Sequence, residues 1–222
     1  MLPKHVTLLK DFNLNAVIGH IKFLSSLNTR VTGYKESYIA AKYIEEQFKK
    51  MGLKVMLHYF NVTVPVDYGA TIKVLGHPEL NLKVYSFEPN FIVPNVAVNL
   101  TAPLVYVGKG DFNEIEGKKL YGSIALMDFN CHGRGKFLRR FGVKGIIYIE
   151  PPDTTKDEIF KKRYRLPIHF PRYLMPREDA MKLLSLLEKE KEVYVTLNSY
   201  MKWEKRKGIN VVGILELSLI HI

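Results

Sequence analysis

The sequence predicts a mixed α/β (α+β) chain, and three features of its 222 residues carry the prediction. Two amphipathic helical patterns near the start give way to a period-two strand pattern. A stretch of short apolar segments cut by turn formers follows. Beyond it, apolar runs of strand length alternate with helical segments, as in the inner strands of a small α/β sheet.

Asp11 and Asn13 are candidate N-caps for a helix whose apolar residues Leu14, Val17, Ile18, Ile21, Leu24 and Leu27 recur at three and four. After the loop Asn28–Gly33, a second such pattern runs through Ala40, Tyr43, Ile44, Phe48 and Met51, with Gly52 placed to end it. Leu53, Val55, Leu57 and Tyr59 then alternate as a strand. From Pro65 to about Pro103 the pieces Thr71–Leu75, Leu82–Phe87 and Asn95–Leu100 read as short strands of a β-rich module, separated by Gly76-His77-Pro78 and Glu88-Pro89-Asn90. Leu104–Val107, Ile124–Met127 and Ile146–Ile149 read as buried strands, with a turn at Gly108–Asp111 and a short helix around Phe137, Leu138 and Phe141. Pro176–Asp179 opens a further helix, and Val193, Val195 and Leu197 form a closing strand. Lys202–Gly208 reads as a polar hinge before one more strand at Ile209–Glu216.

Composition sets bounds on function. With 47% hydrophobic and 25% charged residues the chain is globular, which excludes disordered and collagen-like classes. The single Cys131 excludes a disulfide framework. No apolar run approaches the ~20 residues needed to span a bilayer, and the first residues lack the apolar stretch of a signal peptide. The expectation is a cytoplasmic chain with no membrane partner, so the sequons Asn61-Val62-Thr63 and Asn99-Leu100-Thr101 read as chance matches. Lys and Arg outnumber Asp and Glu by 33 to 22, a net charge of +11. Arg134, Lys136, Arg139, Arg140 and Lys144 gather in one run, and Lys161, Lys162, Arg163 and Arg165 in another. Without a helix-turn-helix, zinc-finger or RNP pattern these read as a solvated basic face, with no nucleic-acid partner.

Residues 104–198 resemble a protease-associated domain, through Val107–Asp111, Gly117–Met127, Phe141–Tyr148, Leu166-Pro167-Ile168 and the helix and strand from Glu178 to Leu197. The flanks resemble co-catalytic zinc aminopeptidases of the glutamate carboxypeptidase-like kind. Thr29-Arg30-Val31-Thr32-Gly33-Tyr34 followed by Ala40–Ile44 is similar to their opening, and Gly208–Glu216 to the strand by which their chain returns after the insert. The resemblance implies a protease-associated β-rich α/β domain at 61–206, inserted into an incomplete α/β peptidase domain made of 1–60 and the returning strand 207–216. It implies two zinc ions and a peptide substrate for the full-length enzyme. It also places the metal ligands and the general-base Glu downstream of that strand, so the chain itself is expected to bind no cofactor and to hydrolyse nothing. The tail Leu217–Ile222 carries no turn former after the strand and is expected to be non-native. His221 lacks the accompanying Asp of a ligand segment and is expected not to bind metal.

Arg30 and Gly33 are the substrate-binding candidates, because the resemblance puts their loop near the cleft. Residues alone also allow a plain helix-to-helix turn there. The seven His are scattered singly, with no carboxylate partner at short sequence range. Cys131-His132 reads as no catalytic pair, since neighbours on an extended chain point apart. Cys131–Lys136 could form a small anion nest. Two functions remain: part of a zinc aminopeptidase whose protease-associated domain shapes substrate access, or a non-enzymatic binding module for peptides or protein partners. The oligomeric state is left open. The insert is expected to be the better folded part, with Leu14, Ile18, Ile21, Ile44 and Phe48 left partly exposed.

Overall fold

Asn13 caps the first helix by accepting a hydrogen bond from the Ala16 N–H at 3.0 Å, which satisfies an amide that has no partner inside the helix. In the computed structural model, which describes residues 12–87, 96–163 and 169–216, that helix is α1 (Leu14–Ser25). Asp11, Glu88-Pro89-Asn90, Asn95, Arg165, Leu166-Pro167-Ile168 and the tail from Leu217 with His221 lie outside the described residues. The elements that follow are α2 (Lys35–Lys50), β1 (Lys54–Val74), β2 (Tyr85–Ser86), β3 (Ala97–Tyr106), α3 (Phe112–Ile115), β4 (Ile124–Asp128) and α4 (Gly135–Leu138) with a 3-10 turn at Arg139–Phe141. Then come β5 (Gly145–Ile149), α5 (Lys156–Lys161), β6 (Arg172–Met175), α6 (Arg177–Lys189) and β7 (Tyr194–Ile214). The fold is mixed α/β, with a seven-stranded sheet in the order β1-β7-β3-β4-β5-β6-β2.

Three sequence expectations are corrected here. The strands expected at Leu53–Tyr59 and Thr71–Leu75 are one strand of 21 residues, β1, which runs through Pro65 and Gly69. β1 lies at the edge of the sheet order, where a proline's missing N–H need cost no ladder bond. The hinge expected at Lys202–Gly208 is also strand, inside the 21-residue β7. Its Lys202, Trp203, Lys205 and Lys207 are exposed, and a strand with a face in water tolerates such polar residues. Finally, the two strands expected at Asn95–Leu100 and Leu104–Val107 are one, Ala97–Tyr106, kinked by a bulge between Ala97 and Leu100 at which Asn99 takes φ +46°.

The chain divides into two compact units: the described residues of Met1–Val64 with Lys205–Ile222, and those of Pro65–Glu204. β1 and β7 pass from one to the other. In the first unit, α1 meets α2 through a stack of Phe23 on Tyr43, with centroids 4.0 Å apart, and through His20 Nδ1, 2.7 Å from the Tyr43 hydroxyl. α2 lies on β7 where Gly213 leaves room, since a Cβ there would sit 2.8 Å from the Phe48 ring.

The second unit holds both apolar cores. Central strands β4 and β5 are parallel, β3 and β6 flank them in parallel, and β7 and β2 close the outer sides antiparallel. Because successive side chains of a strand point to opposite faces, fully buried β4 and β5 feed two cores at once. Ile124, Leu126, Ile147 and Ile149 join Ala180 and Leu183 of α6 on one face. Ala125, Met127, Ile146 and Tyr148 join Leu138 of α4, Val143 and Phe170 on the other. Asp179 fixes the start of α6: it accepts from the Lys83 N–H at 2.8 Å and from Lys182 at 2.7 Å. The Lys182 hydrogen bond holds its carboxyl below the ordinary carboxylate value against the opposing effect of burial.

Candidate functional site

The loop that carries Arg30 and Gly33 joins α1 to α2. Gly33 is buried at φ +87°, and a Cβ there would lie 2.7 Å from Arg206 Cβ and 3.3 Å from Val64 Cγ2. Only glycine lets this loop press on β1 and β7 in that conformation. Arg30 is exposed. Close to Gly33 is a hollow of about 560 Å³ lined by Tyr38, Asn61, Val62, Thr63 and Lys205–Lys207, where the Tyr38 hydroxyl donates to the Lys207 carbonyl. Its charged groups are cations, so this hollow can attract a carboxylate or phosphate, and its lining offers no acid to act as a general base.

In the second unit the carboxyl ends of β3, β4 and β5 form the rim at which parallel sheets most often receive ligands. Here an ion pair and hydrogen bonds within the chain occupy it. Arg134 Nη2 is 2.9 Å from Asp111 Oδ1. Glu114 accepts from the N–H groups of Lys109 at 2.9 Å and Asp111 at 3.0 Å. Those amides keep its carboxyl below the ordinary value although burial pushes it up. The Tyr106 hydroxyl donates to Asp128 at 3.2 Å, and burial together with that carboxylate pushes the phenol up to about 12.

Within Cys131–Lys136, where the sequence allows a nest, His132 takes φ +53° and Gly133 φ +81°, and the His132 N–H meets a side chain of the same protein. The Glu158 carboxylate accepts from the His132 N–H at 3.1 Å and lies 2.9 Å from His132 Nδ1. On its other side Lys162, wholly buried, donates to Glu158 Oε2 at 3.0 Å and sits 4.1 Å from the Phe129 ring centroid. Burial alone would raise the Glu158 carboxyl, but the Lys162 hydrogen bond and charge and the His132 amide outweigh it and hold it low. Arg172, also buried, donates from Nη1 to the Lys162 carbonyl. This is an internal lock of α5 onto the sheet, and Cys131 is buried beside it.

The reading of isolated His is corrected at two positions: folding brings Glu158 and Glu190 in from far along the sequence, and Glu79, two residues after His77, is a carboxylate partner at short range. His132 meets Glu158, and His77 lies 3.0 Å from Glu79 and 2.7 Å from Glu190. Among the described residues no three His, Cys, Asp or Glu side chains converge as a metal site.

Sequence reasoning missed a surface groove. Phe112, Ile115, Leu120, Tyr121 and Phe141 line a hollow of about 830 Å³ with Glu116, Lys118 and Lys119. Gly142, at φ +79°, makes it possible: a Cβ there would lie 2.4 Å from the Tyr121 ring, so the ring rests on bare backbone. Phe112 is 82% exposed and Tyr121 88%. Two aromatics placed beside Gly117-Lys118-Lys119 were the sequence signal, visible only once the 3-10 turn brings Phe141 to them.

No family model matches the chain, and no curated protein matches it. Its fold is similar to several solved structures. An aminopeptidase from Aneurinibacillus sp. strain AM-1 aligns over 95% of this chain and 50% of its own, at 20% identity and TM-score 0.51. A zinc aminopeptidase from Bacillus subtilis aligns over 91% of this chain and 46% of its own, at 18% identity and TM-score 0.62. A peptidase M28 precursor from Shewanella amazonensis SB2B aligns over 86% and 49%, at 19% identity and TM-score 0.58. The chain thus has an aminopeptidase-like fold and spans about half the length of the proteins it resembles.

Proposed function

We propose that this chain is the N-terminal part of a zinc-dependent aminopeptidase, in which residues 61–206 form a protease-associated insert that shapes peptide access, and that works in the cytoplasm without nucleic-acid or membrane partners. The observation that carries this reading is the alignment of 91% of the chain with 46% of a zinc aminopeptidase. The division of the chain near Val64 and Glu204, with β1 leading into the second unit and β7 leading out, fits an inserted domain. Arg30 and Gly33 are the substrate-side residues, Gly33 setting the loop and Arg30 offering a cation to a peptide carboxylate. The two zinc ions and their ligands belong to residues beyond this chain.

The test is to extend the reading frame past Glu216 and to express the longer protein. Release of an amino-terminal residue, lost with a chelator and restored by zinc, is expected, while this chain alone releases none. A frame that closes without metal-ligand motifs overturns the reading. It would leave the second one, a non-enzymatic module for peptides or partners, which the exposed groove at Phe112 and Tyr121 favours.

A further inference from the structure

From the groove at Phe112, Tyr121 and Phe141, and independently of the peptidase reading, we infer that the second unit binds an acidic peptide segment carrying aromatic or aliphatic anchors. The groove volume, about 830 Å³, is that of a pocket that takes several side chains. Exposed aromatics in one apolar hollow are unusual on a soluble surface, and they are the residue types that dominate binding energy at interfaces. Phe112 and Tyr121 make this surface from opposite sides of α3 and the turn before β4.

Charge selects the occupant. Lys118 and Lys119 face the groove against Glu116 alone, and Arg139 and Arg140 stand exposed in the turn just before Phe141. Glu114, the acid within α3, is spent on the amides of Lys109 and Asp111. Lys118 donates to the Tyr106 carbonyl at 2.6 Å, which fixes its stem along the groove edge. The Lys119 side chain is 92% exposed; Glu192 lies 3.9 Å from its Nζ, and Glu188 and Glu190 line the adjoining hollow beside it. Acidic groups flanking the anchors complete these cations, and basic ones are repelled. A second copy of the chain would bring its own excess of +11 and is disfavoured as the occupant at low salt.

Fluorescein-labelled short peptides that combine Phe and Leu with Asp and Glu should bind the whole chain saturably in fluorescence anisotropy at low salt. A chain with Phe112→Ala and Tyr121→Ala should bind at least about tenfold more weakly, since two aromatic anchors are lost. Both side chains are exposed, so its circular dichroism and melting should match the parent. Lys119→Glu should weaken binding several-fold and flatten its salt dependence. Equal binding of a peptide with Lys in place of the acids overturns the inference, as does undiminished binding by the double alanine variant. So does absence of binding by the acidic peptide. If the parent instead self-associates, or binds phosphatidylserine vesicles, and the alanine variant loses that behaviour while the acidic peptide stays unbound, the occupant is a second copy or a lipid surface and the inference fails.

Discussion

The two units of this chain contain similar kinds of regular structure and bury very different amounts of it. In Pro65–Glu204, short elements enclose two cores in which Ile124, Leu126, Ile146 and Ile147 have no exposed surface. In the other unit, longer helices of 12 and 16 residues leave Leu14, Ile18 and Ile21 exposed. Ala40, Ala41 and Val64 are its only buried apolar side chains among the described residues. Helices of that length are marginal in water without a packed face, so well-formed geometry in the first unit does not imply stability. What separates the units is how much apolar surface each closes off from water.

The largest expected effect tests the lock inside the second unit. Glu158→Gln leaves the buried Lys162 ammonium without its carboxylate and should cost about 3–5 kcal/mol in chemical denaturation. Replacing Lys162 with Met as well should recover most of that loss, because an apolar residue suits the surroundings of Phe129 and Tyr148. The carboxyl is held low in the folded state, so its stabilisation is present above the unfolded value of about 4.3 and is lost as pH falls through the lower folded value. The parent should therefore lose stability more steeply than the double variant on acidification below about pH 4. Equal acid sensitivity of the two would show that the lock is not a pH-linked element of the core.

Next in size is a direct contrast between units. Leu126→Ala should cost about 2–5 kcal/mol, as expected for a cavity in a closed core. Ile18→Ala, on an exposed face of α1, should change stability by no more than about 0.5 kcal/mol. Limited proteolysis should likewise cut within residues 12–64 before it cuts the second unit. Similar costs for the two substitutions would mean that α1 has a covered apolar face in solution, and the contrast drawn here would fail.

The sequence displays the parts that rest on local physics. The 3.6 period gives α1, α2 and α6; continuous apolar runs give β4 and β5, whose burial on both faces explains why they do not alternate. Two short helices were legible but passed over. Thr155 followed by Glu158, and Asp111 followed by Glu114, have the spacing of N-terminal caps, and each side chain takes that role at α5 and α3. β6 was hidden because it opens with Arg172, whose burial depends on the Lys162 carbonyl and is not encoded near it. The same holds for the sites. Gly33 announced a special turn, but its partner Arg206 comes from the far end of the chain, and the groove needs Gly142 to seat Tyr121. Long-range pairings of this kind have no periodic signature.

The smallest effect expected concerns His77, which follows β1 and meets Glu190 at the end of α6, both within the second unit. Hydrogen bonds to Glu79 and then to Glu190, with their charges, raise the imidazole above its ordinary value. A raised folded value means that the stabilisation is complete below the unfolded value of about 6.5 and disappears as pH rises through the folded one. His77→Gln should thus unfold at a lower urea concentration than the parent near pH 6 and at the same concentration near pH 9. Because the half-buried group still meets solvent and its partners are screened, the shift at pH 6 should be small, and added salt should shrink it further. A difference that is equal at both pH values would assign the residue a packing role only. One that grows toward pH 9 would reverse the sign of the argument, and would mean that the two glutamates do not hold the His77 proton in the folded chain.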